Sequence, residues 1–240
     1  MSHPICVIPD IHGHKAALDR VLALIDAHLG PDVQIVFLGD YVDRGPDSRG
    51  VIQTLIDGQA AGRNWTMLRG NHDQLFLDFL DEAQVHSPLV RSGKSWLSAN
   101  LGGLATLASY GIQASAAMPR WSGAVTQVPR AHQDFLASLP FSLETAELFL
   151  CHAGIRPGVP LSDQVPEDLT WMREPFLSDP RDHGKLVVHG HTSVDQPEHR
   201  GNRVNLDGGA GWGRPLQVGI FEGRKTWLLT DRGRVLLPPR

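Results

Sequence analysis

The sequence predicts an α/β chain with an α+β second half, and three observations carry that expectation. Residues 5–82 alternate apolar strand-like runs with amphipathic helical runs, the order of parallel crossover units. From residue 186 onward the apolar runs shorten and turns separate them, which reads as a second sheet packed on the first. Five short segments pair acid, amide or imidazole side chains with glycine, and four of them directly follow a strand-like run. That is where open α/β sheets place their ligand sites.

The elements follow in order. Residues 5–9 read as a buried strand. Residues 14–28 carry Leu18, Val21, Leu22 and Ile25 at helical spacing, with Leu29 next on the same face. Residues 33–38 form a second expected strand. Ser48 is the expected cap of a helix bearing Val51, Ile52, Leu55 and Ile56. Residues 65–68 read as a third strand, and 74–82 as a helix presenting Leu75, Phe76, Phe79 and Leu80. Residues 86–132 break the pattern, because Gly102-Gly103, Gly111, Met118-Pro119, Gly123 and Pro129 interrupt weak helical patches. That stretch is expected to be a partly helical specificity cap or insertion beside the site. Residues 148–151 read as a strand, and the proline-rich, charged stretch 156–184 as the opposite rim. Short strands are expected at 186–189, 203–206, 217–221, 225–229 and 234–237.

A chain of 240 residues could hold one domain or two. The glycine-flanked segments run from residue 10 to residue 192, so one site needs most of the chain, and a single domain across 1–240 is expected. Net charge is −4 without a long run of like charge, which points away from nucleic acid polymers and anionic membranes. Cys6 and Cys151 both lie in apolar strand-like runs, which is no disulfide framework and fits a reducing compartment. No apolar segment approaches the ~20 residues that span a bilayer. A cytoplasmic protein is the expectation; the oligomeric state is left open.

Asp10 and His12 stand two apart at a strand end and can hold one ion together. Asp40 follows Gly39, which lets the chain turn sharply, and its two oxygens can bridge two ions. Asp43 and Arg44 share that loop. Asn71 offers an amide oxygen, with helix capping as its alternative. His72 is a candidate ligand or general acid. His152 and His191 each follow a strand beside a glycine. Oxygen and nitrogen donors without thiolate suit manganese, iron or zinc. Each segment alone is weak; five together point to a metal site.

Asp10-Ile11-His12-Gly13, Gly39-Asp40-Tyr41-Val42-Asp43-Arg44-Gly45, Arg69-Gly70-Asn71-His72-Asp73, His152-Ala153-Gly154 and Gly190-His191-Thr192 also carry a resemblance. Over residues 5–210 the chain resembles the metallophosphoesterases, and within them the serine/threonine phosphoprotein phosphatases of bacterial and phage type. The resemblance implies a β-sandwich of two mixed sheets flanked by helices around two divalent ions. Manganese is the first expectation, with iron or zinc as alternatives. One ion would be held by Asp10, His12 and Asp40, the other by Asp40, Asn71, His152 and His191. A metal-bridging hydroxide would attack phosphorus directly. His72 would be the general acid, oriented by Asp43, and Arg44, Arg69 and Arg173 would bind the phosphate. Pro9 departs from the glycine usual before the first aspartate. His189 is expected behind the ligands at most, and Trp212 as a core or rim aromatic.

The resemblance implies a phosphomonoesterase acting on phosphoserine and phosphothreonine, with phosphotyrosine as an extension. Its alternative is a symmetrical dinucleoside tetraphosphate hydrolase, because Arg91, Lys94, Trp96, Arg120, Trp121 and Arg130 fall where a nucleotide would be held. A cyclic phosphodiesterase or nuclease is disfavoured, since Thr192 stands where such relatives commonly carry a second histidine.

Overall fold

A computed structural model of the chain describes residues 4–115 and 124–240. Strand β1 (Ile5–Ile8) pairs in parallel with β2 (Gln34–Phe37), and the crossover is helix α1 (Lys15–Leu29). Leu18, Val21 and Ile25 face inward from α1, at the spacing that keeps side chains on one helical face. Helix α2 (Ser48–Ala60) leads to β3 (Trp65–Met67), parallel to β2. Helix α3 (Asn71–Glu82) follows at once. Both helices start differently from the sequence expectation. The cap of α2 is Asp47, whose carboxylate accepts from Gly50 N at 2.8 Å, while the Ser48 hydroxyl is drawn into the site. Helix α3 begins at Asn71, three residues before the expected start of 74, because Asp73 accepts from Gly70 N at 2.9 Å and closes an extra turn.

The middle of the chain supplies α4 (Gly103–Ser109), α5 (Ala124–Gln127) and α6 (Arg130–Ser138). Helix α4 packs on α2, and α6 on α2 and α3. Trp96, Leu97, Leu107, Tyr110 and Val128 are buried in the same core as α1–α3, so the described parts of this stretch share the helix-side core. Met118, Pro119, Arg120, Trp121 and Gly123, which entered the reading of that stretch, lie outside the described residues.

The second sheet opens with β4 (Ser142–Glu144) and β5 (Leu148–Cys151). Helix α7 (Pro166–Trp171) then precedes β6 (Leu186–His189), β7 (Glu198–His199) and β8 (Arg203–Asn205). Its strand order is β4-β5-β6-β8-β7. The chain ends in β9 (Gly219–Glu222), β10 (Lys225–Thr230) and β11 (Gly233–Leu236). These last strands correct the sequence reading. They were expected to continue the second sheet, but β9 pairs antiparallel with β1, Ile5 opposite Phe221, and completes a first sheet of order β11-β10-β9-β1-β2-β3. Strand alternation reveals which residues face inward and does not reveal which edge a strand will join. β4 and β7, three and two residues long, lie outside the strands expected from the sequence.

The layers follow from alternation along each strand. Val7 and Val36 face Leu148, Leu150, Leu186 and Val188 between the two sheets. Cys6, Ile8, Ile35 and Phe37 point the other way, onto α1, α2 and α3. Phe149, Cys151 and Val187 face outward from the second sheet onto Leu169, Met172 and Phe176. Each such side chain stabilises the fold by about 1.5–3 kcal/mol through burial. This is the expected pair of mixed sheets flanked by helices. No helix among the described residues is long and apolar enough to cross a membrane.

Candidate metal centre and phosphate cleft

Loops at the carboxyl ends of β1, β2, β5 and β6, with the start of α3, converge at one end of the sandwich. Ile11 N and His12 N both donate to Asp40 O, and Gly45 N donates to His12 O, so the first two loops are stitched together. Asp73 joins the third, since its carboxylate accepts from Asp40 N, Tyr41 N and Gly70 N, each at 2.9 Å. Glycine permits the closest approaches. A methyl group at Gly70 would overlap Asp40 Oδ1, and one at Gly190 would overlap Asp10 Oδ1.

The backbone is strained where the site residues stand. His12 (φ 48°), Asp40 (56°), Asp43 (75°), Arg44 (66°) and His191 (63°) all have positive φ; Ala83, at the end of α3, is the sixth such non-glycine residue described. Such conformations are sparsely populated and collect at functional sites, each costing on the order of 1 kcal/mol or more.

The imidazoles are oriented by carbonyl groups. His12 Nδ1 lies 2.8 Å from Val42 O and His152 Nδ1 3.0 Å from Leu38 O. A carbonyl only accepts, so both rings carry their proton on Nδ1 and present an Nε2 lone pair. His12 Nε2 is 3.5 Å from Asp40 Oδ2 and 4.0 Å from Asp10 Oδ2. His152 Nε2 is 3.5 Å from Asp40 Oδ1, 2.9 Å from Asn71 Oδ1 and 3.2 Å from His191 Nδ1. Lone pairs therefore converge on two points that share Asp40. Two groups, His12–Asp40–His72 and Asp40–His152–His191, each bring donor atoms within 4.8 Å of one another. Acceptors crowded in this way fit divalent cations, and all the donors are oxygen or nitrogen.

Electrostatics agree. Burial, then the neighbouring Asp207, raises Asp10 well above the usual carboxylate range, and burial pushes Asp40 up to about 8. Burial first, and the Arg44 guanidinium second, hold His12 and His72 below the ordinary histidine value; burial does the same for His191 and His152. Neutral imidazole is the form that ligates metal.

Beside this set lies a second constellation. His72 Nδ1 is 2.6 Å from Asp43 Oδ2, which also accepts from Trp96 Nε1 at 2.8 Å. Asp43 Oδ1 accepts from Thr106 Oγ1 at 2.6 Å. Burial pushes Asp43 up to about 7, against the pull of those hydrogen bonds. Arg44 reaches both constellations: Nη1 donates to His12 Nε2 at 2.5 Å and Nη2 to His72 Nε2 at 3.1 Å. Its guanidinium lies 4.5 Å from the ring centre of Trp212, and its buried Nε has no partner among the described residues. Arg173 Nε donates to His191 Nε2 at 3.2 Å. Asp40, Arg44, His72, Arg91, Trp171 and Arg173 line a cleft of about 340 Å³.

Arg69 is the site residue that the structure does not bring to this cleft. Its guanidinium donates to Gln74 Oε1 and Ala137 O and packs on Phe141, on the α3–α6 side. Trp96, counted among residues that could hold a nucleotide, is buried against Phe76 and Phe79 and serves Asp43 instead. Arg130 forms an exposed ion pair with Asp134. His189 is buried behind the ligands, edge-on to Phe176. Trp212 is 55% exposed at the rim. Sequence reading missed Thr106, Trp96 as a partner of Asp43, and Asp207. Thr106 and Trp96 stand 63 and 53 residues from Asp43, and no local signal links them.

Known proteins give the site a context. A bis(5'-nucleosyl)-tetraphosphatase PrpE [asymmetrical] of Anoxybacillus flavithermus is 30% identical over 233 residues, spanning 88% of this chain and 87% of that protein. A serine/threonine-protein phosphatase, C23G10.1, of Caenorhabditis elegans is 37% identical over 76 residues, 31% of this chain and 16% of that protein. A crystal structure provisionally named a diadenosine tetraphosphatase aligns with TM-score 0.67 and 20% identity over 99% of this chain and 95% of that one, a likeness of fold. The description of the calcineurin-like phosphoesterases matches residues 3–214, and the chain belongs to that family.

Proposed function

We propose that this chain, as one catalytic domain across residues 1–240, is a metal-dependent hydrolase whose substrates are dinucleoside polyphosphates. The observation that carries the substrate is Trp212: an exposed indole lies on the guanidinium of Arg44, so an aromatic surface adjoins a group that donates hydrogen bonds to phosphate. Bases stack on such surfaces. The full-length likeness to a nucleosyl-tetraphosphatase supports the same reading.

Asp10, His12 and Asp40 would hold one divalent ion, and Asp40, Asn71, His152 and His191 the other, since Asp10 lies beside His12 and Asn71 Oδ1 beside His152 and His191; manganese suits the donors, as do iron and zinc. When bound, two such ions supply Lewis acidity toward the phosphoryl oxygens and the attacking water. The chain's own residues do the rest. Arg44, with a buried Nε to spare, and Arg173 at the rim grip phosphoryl oxygens. His72 donates a proton from Nε2 to the leaving oxygen while Asp43 keeps the proton on Nδ1. Burial, then Arg44, lowers the proton affinity of His72. A phosphate dianion paired with Arg44 offsets that charge, so substrate binding readies His72 as an acid.

Phosphoserine and phosphothreonine, with phosphotyrosine, form the second reading. It draws on the shorter phosphatase matches and on Arg173, an exposed residue that lines the cleft. The test is phosphate and nucleotide release from diadenosine tetraphosphate and from a phosphoserine peptide, side by side with manganese, with Asp40→Asn as control. Faster nucleotide cleavage, lost in the control, supports the first reading, and faster peptide turnover replaces it with the second. ADP alone against ATP plus AMP separates the symmetrical from the asymmetrical cut.

A further inference from the structure

Arg91 is a cleft residue with no structural task. It sits on an exposed turn and forms no hydrogen bond or ion pair with any described residue. Some exposed arginines elsewhere are paired with acids, Arg20 with Asp231, Arg181 with Asp179 and Arg200 with Glu198 among them. The turn itself is pinned. Val90 is buried in the helix-side core, Val90 N donates to Ser87 O, Gly93 N donates to Val90 O, and Trp96 N donates to Val85 O. The guanidinium is therefore held at the cleft by its backbone and left unneutralised.

Arg91 shares that cleft with Arg44 and Arg173. Burial, then Arg44 and Arg91, pull Arg173 below the usual arginine range, so the three guanidinium groups act on one another. The acid that lines the cleft is Asp40, which belongs to the metal-ligand set. In the proposed reading of the cleft, one phosphoryl group would engage Arg44 and Arg173 beside the metal ligands. A third guanidinium is then surplus for a simple monoester and suits a substrate with a further anion next to the scissile group.

We infer that Arg91 forms a second anion subsite, taking the phosphate adjoining the scissile phosphoryl group of a polyphosphate. This rests on the phosphoesterase reading of the cleft and sets its substrate class. Leu89, Leu101 and Trp171 line the same space and offer apolar contact to whatever the second phosphate carries.

The test is calorimetric binding of methylenediphosphonate, which resists hydrolysis, and of inorganic phosphate to the manganese-loaded protein. Wild type is expected to bind the diphosphonate at least ~10-fold tighter, a difference of about 1.4 kcal/mol. Arg91→Gln is expected to bring that ratio close to one, while Arg20→Gln, outside the cleft, leaves it unchanged. No preference in wild type overturns the subsite, and so does an equal weakening of both ligands in Arg91→Gln or the same effect from Arg20→Gln. Metal-dependent turnover of p-nitrophenyl phosphate is measured alongside. Its absence counts against the phosphoesterase reading, whereas the binding ratio alone decides the subsite.

Discussion

Asp43 holds His72 from below: its Oδ2 lies 2.6 Å from His72 Nδ1, and neither water nor solvent reaches the carboxylate, which is 0% exposed. Thr106 and Trp96 complete its hydrogen bonds, so the imidazole is fixed by a buried and fully engaged acid. A buried network of this kind sets one tautomer and one ring orientation.

Asp43→Asn is therefore expected to lower kcat by ~10²-fold, within the range that general acid–base groups contribute, and His72→Asn by at least as much. Bound metal should stay the same in both. Steady-state kinetics with metal analysis on the same samples checks this; loss of metal in either variant would show that the pair belongs to the ligand set.

Asp40 is the shared ligand in the proposed assignment, so Asp40→Asn is expected to weaken metal binding at both positions. The expected loss exceeds the ~10–100-fold typical of groups that only support a ligand. Metal titration followed by calorimetry reads it directly. One metal retained at wild-type affinity would mean that Asp40 does not bridge.

Arg69→Ala should leave the Michaelis constant within ~2-fold, because the side chain is engaged with Gln74, Ala137 O and Phe141 outside the cleft. Stability should fall by ~1–2 kcal/mol, the scale of a lost charged hydrogen bond. For a chain of this size that lowers Tm by about 2–8 °C. A large rise in the Michaelis constant with unchanged Tm would return Arg69 to the phosphate.

Trp212→Ala tests the aromatic surface. Stacking of a base on an aromatic ring contributes ~1–3 kcal/mol, so the Michaelis constant for diadenosine tetraphosphate should rise ~5- to 150-fold. Turnover of a phosphoserine peptide should change little. Equal effects on both substrates would reduce Trp212 to a support for Arg44.

His132 carries a pH dependence unconnected with catalysis. It is 1% exposed, with Nδ1 2.8 Å from the Tyr110 hydroxyl and Nε2 2.9 Å from Gln53 Oε1. Burial, then the charge of Arg49, holds it below the usual histidine value. The unfolded chain takes up this proton near pH 6.5 while the folded chain resists it, so stability is lost as pH falls below that value. The slope from this one group is at most ~1.4 kcal/mol per pH unit. His132→Gln should flatten the wild-type decline between pH 6.5 and 5 in urea unfolding. Parallel declines in both proteins would assign the acid sensitivity elsewhere.

The glycine-flanked segments identified Asp10, His12, Asp40, Asn71, His72, His152 and His191 from sequence because each is local: an apolar strand, a sharp turn, then the donor. Helices and strands of the first half were legible for the same reason, since periodicity of 3.6 or 2 is a property of neighbours in the chain. What lies between distant segments was not. Arg44 and Arg69 look alike as arginines beside glycine, yet one enters the cleft and the other turns to α6, because packing against Phe141 and Ala137 is a contact between remote parts of the chain.

By itself, then, the sequence determined the α/β class, the candidate donors and the places where the strands hand them over. Local chemistry suffices for that. Only the tertiary structure decided that β9–β11 complete the first sheet, that Thr106 and Trp96 fasten Asp43, that Trp212 lies on Arg44, and that Arg91 lines the cleft. Those relations depend on which edges and faces meet when burial brings separated segments together, and alternation along one strand carries no record of its partner.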